Sequence, residues 1–165
     1  MTISIENETD MDFPFDYNLL AKQVITYTMD REHFPYEAEI NLTLVDDEAI
    51  RAINREYREI DRATDVLSFP MLSYEEAGDF SRLEEAESDN FNPDTGEILL
   101  GDIIISVPKV FAQAKEFGHS LKREFAFLIV HSMLHLFGYD HLEQEEAANM
   151  ENKQREILNE MNILR

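Results

Sequence analysis

His131-Ser132-Met133-Leu134-His135-Leu136-Phe137-Gly138-Tyr139-Asp140-His141 holds three of the chain's five histidines, spaced HxxxHxxxxxH. The run just before it, 121–130, is rich in apolar residues and reads as a buried helix. Residues four apart on such a helix stand one turn above each other on one face. His131 and His135 can therefore present two imidazoles to one point. Gly138 falls where helices commonly stop in a left-handed cap, after which the chain can double back and bring His141 in from outside the helix.

Two helical ligands and a third beyond a glycine stop is the layout of the metzincin zinc motif, HExxHxxGxxH. Burying three unpaired polar rings together is unfavourable, so the cluster reads as a metal site with His131, His135 and His141 as ligands. With no cysteine in the chain, thiolate sites and disulfides are excluded, and histidine and carboxylate are the strong ligands available. Position 132 is Ser, not the glutamate that serves HExxH peptidases as general base. The scaffold fits a zincin, whereas the peptidase chemistry does not.

Upstream, 98–106 is an apolar strand interrupted by Gly101-Asp102, and a strand this apolar belongs in the middle of a sheet. Asp102 suits either a bulge beside Gly101 or an acceptor that orients a histidine. Pro108 sits well in the first turn of a helix to about 117, Gly118 stops it, and Ser120 caps the histidine helix. Glu124, seven residues before His131, shares its face and suits an ion pair or a ring-orienting contact. His33 and His119 read as surface residues. A last helix, 143–162, carries Met150, Ile157, Leu158, Met161 and Leu164 as a packing stripe, with its acids crowded at the start where the helix dipole prefers them.

The N-terminal half alternates in the same way. A short strand at 3–6 precedes an amphipathic helix at 16–29 with Leu19, Leu20, Val24 and Tyr27 at helical spacing. A strand at 39–45 has Ile40, Leu42 and Leu44 on one face. Asp46 and Asp47 are N-cap candidates for a helix at 47–58, with Ala49, Ile53 and Tyr57 on one side. Arg51, Arg55, Arg58 and Arg62 form a stripe that is either a solvated face or a phosphate-contacting ridge. A short strand at 65–69 ends at Pro70, and Asp65 and Ser68 beside it read as structural.

The net charge of −21 runs against nucleic-acid binding. Part of it is local, since 71–97 carries nine acidic residues against one basic, but the rest of the chain is still acidic. That segment reads as an acidic loop insertion with a short helix around 81–87, and Tyr74, Phe80, Leu83 and Phe91 argue that it is not wholly detached. Any RNA contact must use a confined basic groove, or a partner must help to hold the RNA. Residues 1–10 lack the basic and apolar regions of a secretory signal, and no apolar run is long enough to span a bilayer. There is no P-loop or dinucleotide fingerprint. The expectation is a single cytoplasmic domain over 1–165, of α+β class: a small mixed four-stranded sheet packed with helices, the zincin-like metal helix in its core.

The chain also resembles the YbeY family of metal-dependent endoribonucleases of ribosomal RNA maturation. The resemblance rests on His131, Leu134-His135-Leu136, Gly138-Tyr139-Asp140-His141, Thr64-Asp65-Val66-Leu67-Ser68-Phe69-Pro70, Leu100-Gly101-Asp102-Ile103 and Asn54-Arg55-Glu56-Tyr57-Arg58. It runs from about residue 40 onward. Ser132, where the family usually has Gly, and the acidic segment depart from the pattern. The resemblance implies a single-strand-specific endoribonuclease acting on the small-subunit RNA 3′ end, with the small ribosomal subunit and its proteins as partners. It implies Arg58, His131, His135 and His141 as catalytic residues. Three neutral imidazoles suit one Zn²⁺ per chain with an open fourth position, where water's pKa falls to about 7. The other readings are a ribosome-associated assembly factor with a structural metal, and a zincin-like hydrolase of amide bonds.

Overall fold

The computed structural model describes residues 1–81, 83 and 90–163. The short helix expected around 81–87 and Leu164 of the last stripe lie outside the described residues. Among the described residues nine elements follow in the order β1 (Thr2–Asn7), α1 (Tyr17–Arg31), β2 (Ala38–Val45), α2 (Asp47–Arg58), β3 (Val66–Pro70), β4 (Ile98–Ser106), α3 (Val107–Phe117), α4 (Leu121–Leu136) and α5 (Gln144–Glu160). The sheet order is β1-β2-β4-β3. β2 runs parallel to both β1 and β4, while β3 lies antiparallel to β4 at the edge. The sheet is thus mixed and four-stranded, as its alternation of strands and helices foretells.

Side-chain alternation divides the core in two. Ile40, Leu42, Leu44, Ile103 and Ile105 face the main cluster, formed with α1, α4 and α5. Val45, Leu67, Phe69 and Ile104 face a smaller one under α2. α4 is apolar nearly all round, as a helix with neighbours on most sides must be. From Glu124 to its end α4 is buried except at Phe127, His131 and His135, half-buried at intervals of four on one strip.

Two apolar positions depart from their expected faces. Leu19 is exposed, whereas Leu20 and Val24 are buried as expected, with Ala21, Ile25 and Met29 beside them. On α2 the buried positions are Ile50 and Asn54, and Tyr57 is 65% exposed. Periodicity gives a helix a stripe but leaves its centre uncertain by one residue, or about 100° of rotation.

Gly101 is required by both its backbone and its neighbours. The β2–β4 register slips between Glu39 and Ile40, and the bulge puts Gly101 at φ +153°. A Cβ there would lie 2.5 Å from the Phe69 carbonyl oxygen and 2.8 Å from Leu136 Cδ2. Asp102 beside it accepts from Asn41 Nδ2 at 2.9 Å, so the bulge reading stands, not that of a histidine-orienting acceptor.

The acidic segment is docked to a greater extent than an insertion reading suggests. Leu72, Phe80 and Leu83 are buried in the main core. Tyr74 Oη donates to the Leu136 carbonyl at 2.9 Å and Gly78 N–H to that of Phe137 at 3.0 Å. The last carbonyls of a helix have no partner within it; here part of the segment supplies them.

Candidate metal centre

α4 begins at Ser120, whose hydroxyl accepts from Arg123 N–H at 3.0 Å, and ends in a turn that determines the site. Gly138 N–H donates to the His135 carbonyl and Tyr139 N–H to that of Leu134, both at 3.0 Å. Gly138 has φ +95°, and a Cβ on it would meet the Tyr74 ring at 2.7 Å. The chain therefore reverses tightly and returns His141 over the helix end.

The three imidazoles converge. His131 Nε2 and His135 Nε2 are 3.1 Å apart, and one ligand atom from each of His131, His135 and His141 lies within 4.8 Å of the others. Nitrogens that share a tetrahedral zinc at 2.0–2.1 Å sit about 3.4 Å apart. The helical pair already has that spacing, and the exposed His141 is free to close the rest. A single divalent cation fits this donor set.

Ring orientation depends on what the far nitrogens meet. His135 Nδ1 lies 2.9 Å from the Tyr139 carbonyl oxygen, which can only accept. The proton therefore sits on Nδ1 and Nε2 keeps its lone pair. His131 Nδ1 lies 2.5 Å from the side-chain amide nitrogen of Gln154, on α5. With that edge of the amide toward the ring, Nδ1 accepts and the proton is on Nε2. Turned over, the amide offers its oxygen to an Nδ1–H and frees Nε2 as a ligand. Gln154 has no counterpart among the expected site residues; its place one turn past Met150 on the packing stripe was the available signal.

Burial, with the neighbouring His135 and His141 adding to it, pushes His131 down to about 4. Burial also lowers His135, with His141 and Arg58 contributing. Both rings are accordingly neutral near pH 7, the form a cation requires.

The site forms one wall of an open groove of about 530 Å³ along the β3 edge. Arg58 and Arg62 line it, with Asp65 and Ser68. Arg51 instead pairs with Asp61 at 2.9 Å, and Arg55 reaches the same carboxylate at 4.0 Å. The arginine stripe therefore divides, its first half a solvated face and its second half in the groove. Asp65 caps its own strand, Oδ1 accepting from Val66 N–H at 2.8 Å. Ser68 Oγ bonds to Ser132 Oγ at 2.9 Å, and Ser132 is fully buried. Glu124 orients a histidine, but it is His119, at 3.0 Å. With its side chain only 10% exposed, His119 is not the surface residue expected.

Comparison with known proteins bears on this site. The family model described as Endoribonuclease YbeY matches residues 3–162. The chain is 64% identical over 165 residues to the Endoribonuclease YbeY of Agathobacter rectalis, with all of both chains covered. It is 58% identical over 165 residues to that of Lachnoclostridium phytofermentans, again in full. A Clostridium botulinum protein of the same name is 46% identical over 145 residues, 87% of each chain. The fold also matches the solution structure of TM1509 from Thermotoga maritima with TM-score 0.55, 22% identity, and 98% and 92% of the two chains covered.

Proposed function

The chain belongs to the YbeY family of endoribonucleases, and from that premise we propose that it is a zinc-dependent endoribonuclease of single-stranded ribosomal RNA. We assign His131, His135 and His141 as ligands of one Zn²⁺ and Arg58 as a phosphate-binding catalytic residue. We place its action in the cytoplasm, on the small-subunit RNA 3′ end with the small subunit as partner, in a single domain over 1–165. The observation that carries this reading is the convergence of three imidazole nitrogens on one wall of a groove that also holds Arg58 and Arg62.

When bound, a divalent cation supplies Lewis-acid polarisation and an acidified water at this point. The chain's own residues do the rest. His135, held by the Tyr139 carbonyl, and His131, held by Gln154, present fixed Nε2 atoms. Arg58 offers a planar fork of donors to the non-bridging oxygens of a phosphodiester, and its charge opposes the negative charge that develops there in the transition state. Among the described residues, no helix is long and apolar enough to cross a membrane.

The two other readings have less to support them. A structural zinc takes four protein ligands, whereas the cluster among the described residues offers three and borders an open groove. An amide hydrolase of the HExxH kind needs a base at position 132, and the Ser132 hydroxyl is buried against Ser68.

The test is cleavage of a single-stranded RNA by purified protein, with and without chelator, beside His135→Ala and Arg58→Ala, with elemental analysis of the protein as isolated. The expected result is about one zinc per chain, loss of cleavage with chelator and in His135→Ala, and a fall of about 100-fold or more in Arg58→Ala. Cleavage unchanged in His135→Ala would defeat the reading.

A further inference from the structure

Behind the histidines, between α4 and α5, lies a second and smaller cavity of about 160 Å³. His131 and His141 line both it and the Arg58 groove, so the metal centre is the wall that the two spaces share. The groove side is polar, with Arg58 and Arg62 set beside the carboxylates of Asp65 and Asp140. The rear cavity is walled by Phe127, Ala147 and Met150, with Glu151 on it as an exposed carboxylate. Gln154, also on its wall, already has its amide engaged with His131. The Phe127 ring lies nearly parallel to that of His131, 19° between planes and 6.4 Å between centroids. Phe127 thus places an aromatic ring on the cavity wall next to a ligand.

Size and chemistry limit what can occupy this cavity. An apolar cavity of about 150 Å³ accommodates a single benzene-sized ring, so one six-membered ring fills this one and a fused bicycle projects from it. Flat aromatic walls favour a ring that stacks, at about 1–3 kcal/mol per base when the ligand is a nucleobase. The Glu151 carboxylate accepts hydrogen bonds, and both uracil, through N3–H, and cytosine, through N4–H, have a donor to give. A base hangs from the sugar next to its phosphate. A phosphate held on the groove side of His131 and His141 therefore carries one neighbouring base to the cavity mouth.

We propose that the cavity between α4 and α5 is a base-binding subsite that seats a pyrimidine of the nucleotide flanking the bond to be cut. The assignment rests on the endoribonuclease reading and gives it a sequence preference. Base choice is made by shape at Phe127, Ala147 and Met150, while the groove arginines hold the backbone whatever its sequence.

The test fills the cavity without touching a ligand. Ala147→Phe, and Ala147→Leu as a smaller plug, are checked for unchanged zinc content and melting. Binding of labelled octamers of uridylate and of adenylate is then measured by fluorescence anisotropy in chelator, so that no cleavage occurs. Wild type should prefer the uridylate octamer, and Ala147→Phe should weaken that octamer roughly 10-fold while changing the adenylate octamer less than twofold. Cleavage ends mapped on a mixed-sequence single strand should show a pyrimidine bias at one position beside the cut, lost in Ala147→Phe and reduced in Ala147→Leu. Equal octamer binding by wild type, or a bias that survives both variants, overturns the subsite alone. A wild type that neither binds nor cuts single-stranded RNA overturns the endoribonuclease reading and the subsite with it.

Discussion

A buried imidazole serves as a ligand only if the hydrogen on its other nitrogen has an acceptor. For His135 that acceptor is a backbone carbonyl and cannot be mutated away. For His131 it is the side chain of Gln154, whose two faces favour opposite tautomers. Gln154→Leu should therefore weaken zinc binding about 10- to 100-fold, measured by competition with a chromophoric chelator. Gln154→Glu, which can only accept, should keep or tighten it. A second expectation concerns pH. In metal-free protein His131 should titrate near pH 4 in an NMR titration of its ring protons, well below the ordinary 6.5, because burial disfavours its charge. Between those values the unfolded chain takes up a proton that the folded His131 refuses. The stability this residue contributes is present above about pH 6.5 and lost as pH falls towards 4.

The helix α4 places two ligands by its own repeat, but its end is fixed from outside. Tyr74 and Gly78 bond to the carbonyls of Leu136 and Phe137. Phe80 packs edge-on against Phe137, with ring centroids 5.3 Å apart. This part of the acidic segment thus braces the turn that delivers His141. Phe80→Ala should lower stability in urea unfolding by about 3–5 kcal/mol. At the other contact of α4, Gly101 lets Leu136 and the Phe69 carbonyl close on the bulge in β4. Gly101→Ala should destabilise by about 3 kcal/mol or more in the same assay, since the obstacle on one side is backbone that cannot rotate away. The bulge was legible as a glycine in an apolar strand. That the acidic segment is attached was legible in Tyr74, Phe80 and Leu83, but where it docks was not, because these residues are scattered among acids and show no period of 2 or 3.6.

At the scale of the whole molecule, a chain of net charge −21 can hold a polyanion only where its few cations are gathered. Arg58 and Arg62 face the groove, while Arg51 and Arg55 are turned to Asp61. RNA binding should accordingly depend weakly on salt. Each phosphate neutralised on a single strand adds about −0.7 to the slope of log K against log salt, so the slope should lie near −1.4 and shrink by about 0.7 in Arg58→Ala. A steep slope, near −4 or beyond, would mean that a larger basic surface has been missed. The sequence by itself determined the element order, the caps at Asp46 and Ser120, the central place of the apolar strand, and the three histidines as one group. All of these follow from repeat lengths and from groups a few residues apart, which the chain specifies locally. Only the tertiary structure decided which arginines reach the groove, that His119 packs half-buried against Glu124, that Gln154 holds His131, and that the acidic segment braces the metal helix. Each of these joins residues distant in sequence or depends on the rotation of a helix about its axis. Such contacts are selected by the packing of the whole core, which no local pattern encodes.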